Sequence, residues 1–243
     1  MPWRAPQTNP DLDRGQIHVW RTRLDQPPSC LADYLPCLCE DERGRAMRFH
    51  FEEHRRDFIV GRTFLRTILA RYLGIDRSRV RFEYSSYGKP SIVATPTSLP
   101  LFFSLTHSHR LALLAVTRKA EIGIDVEYVR SVDDGIPERY FSPSEVAALR
   151  ALPKHLQQEA FFNCWTRKEA YIKARGNGLS LALDEFDVSL APGAPAAILD
   201  IRDGIEEPSA WKIEHLAPAD GYIGAVAIRA QNCRLKLWAL DQP

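Results

Sequence analysis

Apolar residues recur along the chain with two different periods, and the switches between them lay out the elements. The first run, QIHVW (Gln16 to Trp20), reads as a strand and leads into a polar, proline-containing connection. Phe58, Leu65, Ile68, Leu69 and Tyr72 then repeat at helical spacing, and Gly74 supplies a stop just after Leu73. Val80, Phe82 and Tyr84 alternate as a strand that breaks at Gly88-Lys89-Pro90. LFFSLTHSHRLALLAV predicts two short strands joined by a polar turn from Thr106 to Arg110, and EIGIDVEYV predicts another strand close behind. Ser142 then marks a helix start, with Pro143 at the first helical position and Glu145 completing a capping box. A second helix is expected from about Gln157 to Ala174, ending near Gly176 and Gly178. FDVSL reads as a strand and residues 191–197 as a loop. WKIEHL, YIGAVAI and LKLWAL read as closing strands. Each half thus carries a long helix followed by antiparallel strand signals. The expected fold is α+β, with similar halves at residues 1–120 and 121–243.

Composition narrows the classes. At 243 residues with 45% apolar side chains, the chain can bury a full core. Its net charge is +1, from 32 basic and 31 acidic residues, which argues against broad capture of nucleic acid. The five cysteines are odd in number and Cys37 and Cys39 lack Cys-x-x-Cys spacing, so reduced thiols in the cytoplasm are expected. The N-terminus has no signal-peptide pattern, and the longest apolar run, Leu111 to Val116, is far too short to span a bilayer. No membrane partner is expected.

Candidate chemistry sits on two segments. On the strand EIGIDVEYV, Ile122, Ile124 and Val126 face one way and Gly123, Asp125 and Glu127 the other. The two carboxylates are then about 6.6 Å apart at their backbones, close enough to converge on one ion. The same pattern also suits an acidic face exposed to solvent. On the later helix, Phe162, Trp165, Glu169, Ile172 and Lys173 share one broad stripe, and Arg167, Lys168 and Arg175 add further cations nearby. A lone ionised carboxylate beside aromatics is costly, so Glu169 needs a partner. Lys173, one turn on, can supply it as an ordinary ion pair. Together Asp125, Glu127 and Glu169 form a hard-oxygen set suited to Mg²⁺, or Mn²⁺ in its place. The Gly88-Lys89-Pro90 turn can present a lysine to a phosphate. His107 stands among Ser104, Thr106 and Ser108, either as a ligand contact or as a capped turn residue. The arginines at 43, 45, 48, 55, 56, 62 and 66 are either a basic groove or a solvated face.

In this order the segments resemble the 4′-phosphopantetheinyl transferase superfamily, Sfp (surfactin-synthetase-activating) type. Its signature, an Ile/Val-Gly-Ile/Val-Asp strand and a later Trp/Phe-Ser/Thr-x-Lys-Glu-Ala/Ser-x-x-Lys, is matched by Ile122-Gly123-Ile124-Asp125 and by Trp165 to Lys173. RFHFEEHRRDFIVGRTFLR is similar to the family's N-terminal helix, YGKP to its Gly-Lys-Pro turn and RYFSPSE to its Phe-Ser-x-x-Glu. GNGLSLALDEFDV is similar to its Gly-x-Gly-Leu segment. The chain departs from the common Asn-x-Ser-His-Ser pattern with Ser104-x-Thr106-His107-Ser108, which weakens the carry-over for Ser104 more than for His107.

The resemblance implies transfer of the phosphopantetheine arm of coenzyme A to a serine of an apo acyl or peptidyl carrier protein, with release of adenosine 3′,5′-bisphosphate. It implies a pseudo-dimeric, monomeric chain with coenzyme A between the halves. Asp125, Glu127 and Glu169 would hold the metal; Glu169, or a water it orients, would act as base; Lys173 would stabilise phosphate oxygens. Arg45, Arg56, Gly88, Lys89, Pro90, Thr106 and His107, with Asp125 and Lys173, would contact coenzyme A. Two alternatives remain at this stage: a Mg²⁺-dependent nuclease or phosphoesterase, and an inactive coenzyme A- or carrier-binding protein. Neither GxxxxGK[ST] nor GxGxxG occurs.

Overall fold

A computed structural model describes residues 2–6, 10–93, 99–176, 181–202 and 204–243. The expected Gly178 helix stop and most of the Gly-x-Gly-Leu segment lie outside the described residues. β1 (Gln16–Arg23) is followed by the short helices α1 (Leu31–Tyr34) and α2 (Glu40–Met47), then by the 22-residue α3 (Glu52–Leu73). Gly74 ends α3 in the left-handed region at φ 66°, where a side chain would strain the backbone. The hairpin β2 (Phe82–Tyr84) and β3 (Pro90–Ile92) precedes β4 (Phe102–Ser108), β5 (Leu111–Thr117) and β6 (Ile122–Tyr128). The second half continues with α4 (Ile136–Tyr140), α5 (Pro143–Ala151) and the 22-residue α6 (Lys154–Arg175). β7 (Phe186–Val188), β8 (Ile198–Ile201), β9 (Lys212–Leu216), β10 (Tyr222–Ile228) and β11 (Arg234–Ala239) complete it. The Ser142 capping box on α5 forms as the sequence predicts.

Two sheets carry the fold. One has the order β11-β1-β5-β4 and the other β6-β10-β9. The first sheet's outer face packs on α3 through Trp20, Phe64, Leu65, Ile68, Leu114 and Val116. α6 covers the second sheet, with Phe162, Tyr171, Phe186, Ala225 and Ala227 in its core. A third core lies between the sheets, where Ile17, Val19, Leu113 and Ala115 meet Ile122, Ile124, Val126 and Val226. β5 is therefore buried on both faces, which is why its sequence is continuously apolar rather than alternating.

Two expectations are corrected. The polar stretch from Thr106 to Ser108 is strand rather than turn, because β4 stays paired with β5 through Ser108 and only His109 and Arg110 turn the chain. The division at residue 120 fails for the last strand, since β11 returns to pair in parallel with β1. Burial of Leu235 and Leu237 against the joint core draws it there.

Candidate active site

β4 runs beside β6, and the hydroxyls at alternate β4 positions fasten the two strands. Ser104 Oγ accepts the Ile124 N–H at 3.2 Å, Thr106 Oγ1 donates to Asp125 Oδ1 at 3.1 Å, and Ser108 Oγ donates to Glu127 Oε2 at 2.8 Å. Residues two apart on a strand share a face, so the Ser-x-Thr-x-Ser pattern is a seam between the halves. That period of two is visible in the sequence, but it signals a seam only once the segment is read as strand. His107, between those hydroxyls, is exposed. It is near enough to influence Asp57 on α3, next to Arg56.

Asp125 is the centre of the site. Its side chain faces α6, where Lys173 Nζ donates to Oδ1 at 2.6 Å. The ordinary Glu169–Lys173 ion pair that the i,i+4 spacing allows is not the contact the lysine makes: it reaches across to the strand instead. Glycine at 123 makes that approach possible. A Cβ there would stand 2.0 Å from the Ala170 carbonyl oxygen and 2.3 Å from the Ala174 nitrogen, so α6 rests on the bare backbone of β6. Burial pushes the Asp125 carboxyl up to about 6; Lys173 opposes that shift, and Glu169 and Glu127 add to it. Asp125 thus senses the charge of both neighbouring acids. Oδ2 of Asp125 is buried with no hydrogen-bond partner among the described residues.

Beside this pair opens a cavity of about 360 Å³, lined by Tyr87, Lys89, Pro90, Glu169, Ile172 and Lys173 among others. The β2–β3 hairpin forms one wall and α6 the other. Gly88, also in the lining, turns the hairpin at φ 79°. Lys89 Nζ bonds the Glu121 carboxylate and lies 3.4 Å from the carbonyl oxygens of Ile122 and Ala174, tying the hairpin to the second half. Arg45 lies over the Phe58 ring at 5.3 Å, and Arg56 bonds Asp57; neither lines this cavity. Glu127 is joined to the site through Ser108 and also faces Arg130 at 3.5 Å. Among the described residues, no three His, Cys, Asp or Glu side chains are gathered as a metal-holding group.

The cations around Glu169 divide between two directions. Lys173 faces Asp125, whereas Arg167 donates to the Ser189 carbonyl and Lys168 is wholly buried against Glu145. Sequence position alone had grouped them all around the acid.

An acid–lysine pair held by a strand and a helix of the second half, beside a cavity whose facing wall is a hairpin of the first, defines an α+β enzyme site between two joined units. Comparison gives the class. The model of the 4′-phosphopantetheinyl transferase superfamily matches residues 121–227, and that of the 4′-phosphopantetheinyl transferase N-terminal region matches residues 20–119. The chain is 41% identical over 238 residues to 4′-phosphopantetheinyl transferase HetI of Nostoc sp., covering 97% of each protein. It is 33% identical over 176 residues to 4′-phosphopantetheinyl transferase Sfp of Bacillus subtilis, covering 72% of this chain and 77% of that protein. The chain belongs to the 4′-phosphopantetheinyl transferase superfamily, Sfp type. It is an enzyme with that transferase activity, acting on carrier proteins with coenzyme A as substrate.

Proposed function

We propose that the cavity beside Asp125 and Lys173 receives coenzyme A, and that the adjoining acids carry out transfer of its phosphopantetheine arm to a serine of an apo acyl or peptidyl carrier protein. The observation that carries this reading is the Lys173–Asp125 contact of 2.6 Å at a cavity also lined by Glu169. The serine oxygen attacks the phosphorus bearing the pantetheine arm. The pyrophosphate bond breaks, and adenosine 3′,5′-bisphosphate leaves with the bonding electrons. Glu169, or a water it orients, accepts the serine proton. Lys173 offers positive charge to the phosphate oxygens as the bond breaks. Lys89 contributes to the coenzyme A contacts from the cavity wall, with Gly88 and Pro90 shaping the hairpin; Arg45, Arg56, Thr106 and His107, which lie outside that lining, contact the parts of coenzyme A that extend beyond it.

The donor chemistry suits a hard divalent cation. The partnerless Oδ2 of Asp125, together with the charge of Glu169 and Glu127 felt at that carboxyl, supports Mg²⁺, or Mn²⁺, held by Asp125 with Glu127 and Glu169. When bound, the ion supplies charge neutralisation for the pyrophosphate. Free thiols at Cys30, Cys37, Cys39, Cys164 and Cys233 support a reducing, cytoplasmic setting, and the joint core within one chain supports a monomer. Among the described residues no helix is long and apolar enough to cross a membrane.

The test is purified protein with Mg²⁺, coenzyme A and a panel of apo carriers, read by intact mass. A carrier heavier by one phosphopantetheine is expected. Glu169→Gln should keep the fold and lower turnover by about 10²- to 10⁴-fold. Near-normal turnover removes Glu169 from the mechanism. DNA cleavage without any carrier mass shift overturns the transfer reading.

A further inference from the structure

The residue immediately before Glu169 is buried in an unusual way. Lys168 is fully buried, and its ammonium donates to Glu145 Oε2 at 2.7 Å, to the Leu183 carbonyl at 2.6 Å and to the Phe186 carbonyl at 2.5 Å. Three acceptors match the three N–H donors of a lysine, and the Phe186 ring lies 4.3 Å from the nitrogen. Glu145 is equally committed. Its Oε2 also accepts the Ser142 N–H at 3.0 Å, and its Oε1 accepts the Val188 N–H at 2.8 Å. One ion pair therefore joins the start of α5, the middle of α6 and the strand β7. Neighbouring α6 side chains reinforce it: Arg167 donates to the Ser189 carbonyl at 2.6 Å and Asn163 to the Leu190 carbonyl at 3.2 Å.

Burial of both charges is expensive, and apolar replacements of such pairs are commonly neutral or stabilising. Stability alone therefore gives little reason for this one. Its geometry gives another. Glu169 and Lys173 must leave α6 in one direction to reach the cavity and Asp125. A slip of α6 by a single residue would carry them about 1.5 Å along the axis and about 100° around it. The bare backbone of Gly123 sets the distance between helix and strand, but a smooth contact resists rotation weakly. The pair on another side of the helix fixes the rotation.

We propose that Glu145 and Lys168 are positioning residues of the transferase: they set the rotation and axial register of α6, and so aim Glu169 and Lys173 at the reacting groups without touching them. The inference rests on the site reading given above. Either single substitution strands a buried charge, so the informative variant is the neutral pair Glu145→Gln with Lys168→Met. The amide oxygen left by Glu145→Gln can still accept a backbone N–H. The double variant is expected to stay folded, with a melting temperature within a few degrees of the parent. Its kcat should fall by about 10²-fold, the cost of a misplacement near 1 Å, while KM for coenzyme A changes little. In its crystal structure the Lys173–Asp125 contact should open from 2.6 Å to beyond hydrogen-bonding reach. Parental kcat with that contact intact overturns the proposal, as does a loss of activity that only follows loss of folded protein. If the parent protein modifies no carrier, the functional reading fails, and the Lys173–Asp125 distance still decides the positioning role.

Discussion

His18 is a buried titratable side chain whose neighbours leave it one protonation state. Trp20 Nε1–H donates to the Tyr72 hydroxyl at 2.8 Å, and His18 joins Tyr72 through Nδ1 at 2.7 Å and the side-chain Oε1 of Gln16 through Nε2 at 2.9 Å. The chain of donors closes when neutral His18 carries its proton on Nε2 and accepts the Tyr72 O–H at Nδ1. Burial, with Lys236 adding to it, pushes the imidazole down to about 4. Below its ordinary value of 6.5, the unfolded chain binds a proton that the folded protein refuses. Stability therefore falls as pH drops from 6.5 to about 4 and levels off below that. The expected loss from this residue is about 3 kcal/mol. Urea unfolding of the parent and of His18→Phe across that window checks it. The variant should be less stable at neutral pH, from orphaned Gln16 and Tyr72 groups, and should lack this component of the slope. A parallel pH dependence in both proteins removes His18 as its source. None of this network was legible in the sequence, where His18 is one polar letter inside an apolar strand. Asp125 was legible only in part: alternation sets it with Glu127 on one face of the strand, which also suits an acidic face in solvent, and it stood out only beside Glu169 and the family signature.

Elements were legible wherever a cap or a period spoke for them, and obscured where buried polar side chains broke the period. Gly74 and the Ser142 capping box mark α3 and α5 plainly, since their physics is local. α6 is less regular because Asn163, Thr166, Arg167 and Lys168 are all buried, so polar letters fall on its inward faces. β4 was misread near its end for a related reason: Thr106 and Ser108 are polar, yet they are satisfied by Asp125 and Glu127 across the seam. The contact of α6 with β6 yields a direct test. Gly123→Ala would place its methyl group 2.0 Å from the Ala170 carbonyl oxygen, and backbone of a helix cannot yield as a flexible side chain can. The helix must lift from the strand. A loss of at least about 1–3 kcal/mol is expected in chemical denaturation, at the upper end for a backbone clash. Lys173 would be drawn away from Asp125, so turnover should fall as well. Unchanged stability would mean that α6 has freedom to shift that the tight contact denies.

At the scale of the whole molecule, the two family regions share one core between their sheets. The parallel pairing of β11 with β1 links residues more than two hundred positions apart, and no local pattern announces it. The repeated order of long helix and strands suggested two similar halves, but not that the last strand would cross into the first sheet. Nor did it show that β5 would be covered on both faces. Ile17, Val19, Leu113 and Ile124 are all essentially fully buried in the joint core. At about 1.5–3 kcal/mol for each such side chain, these four alone carry about 6–12 kcal/mol of burial. That matches the whole net stability of a typical domain, about 5–15 kcal/mol. A fragment of residues 1–119 exposes Ile17, Val19 and Leu113 and leaves the β1 edge open, where β11 had covered it. Expressed alone, it should aggregate or show no cooperative melting by circular dichroism, and residues 120–243 should fare no better with Ile124 bared. Co-expression of the two fragments should restore a soluble complex of the parent's mass on size-exclusion chromatography, because the core they share is apolar and complementary. A soluble, sharply melting fragment 1–119 on its own would show that the first half has enough core without the second, and the cleft would then be an interface between independent domains.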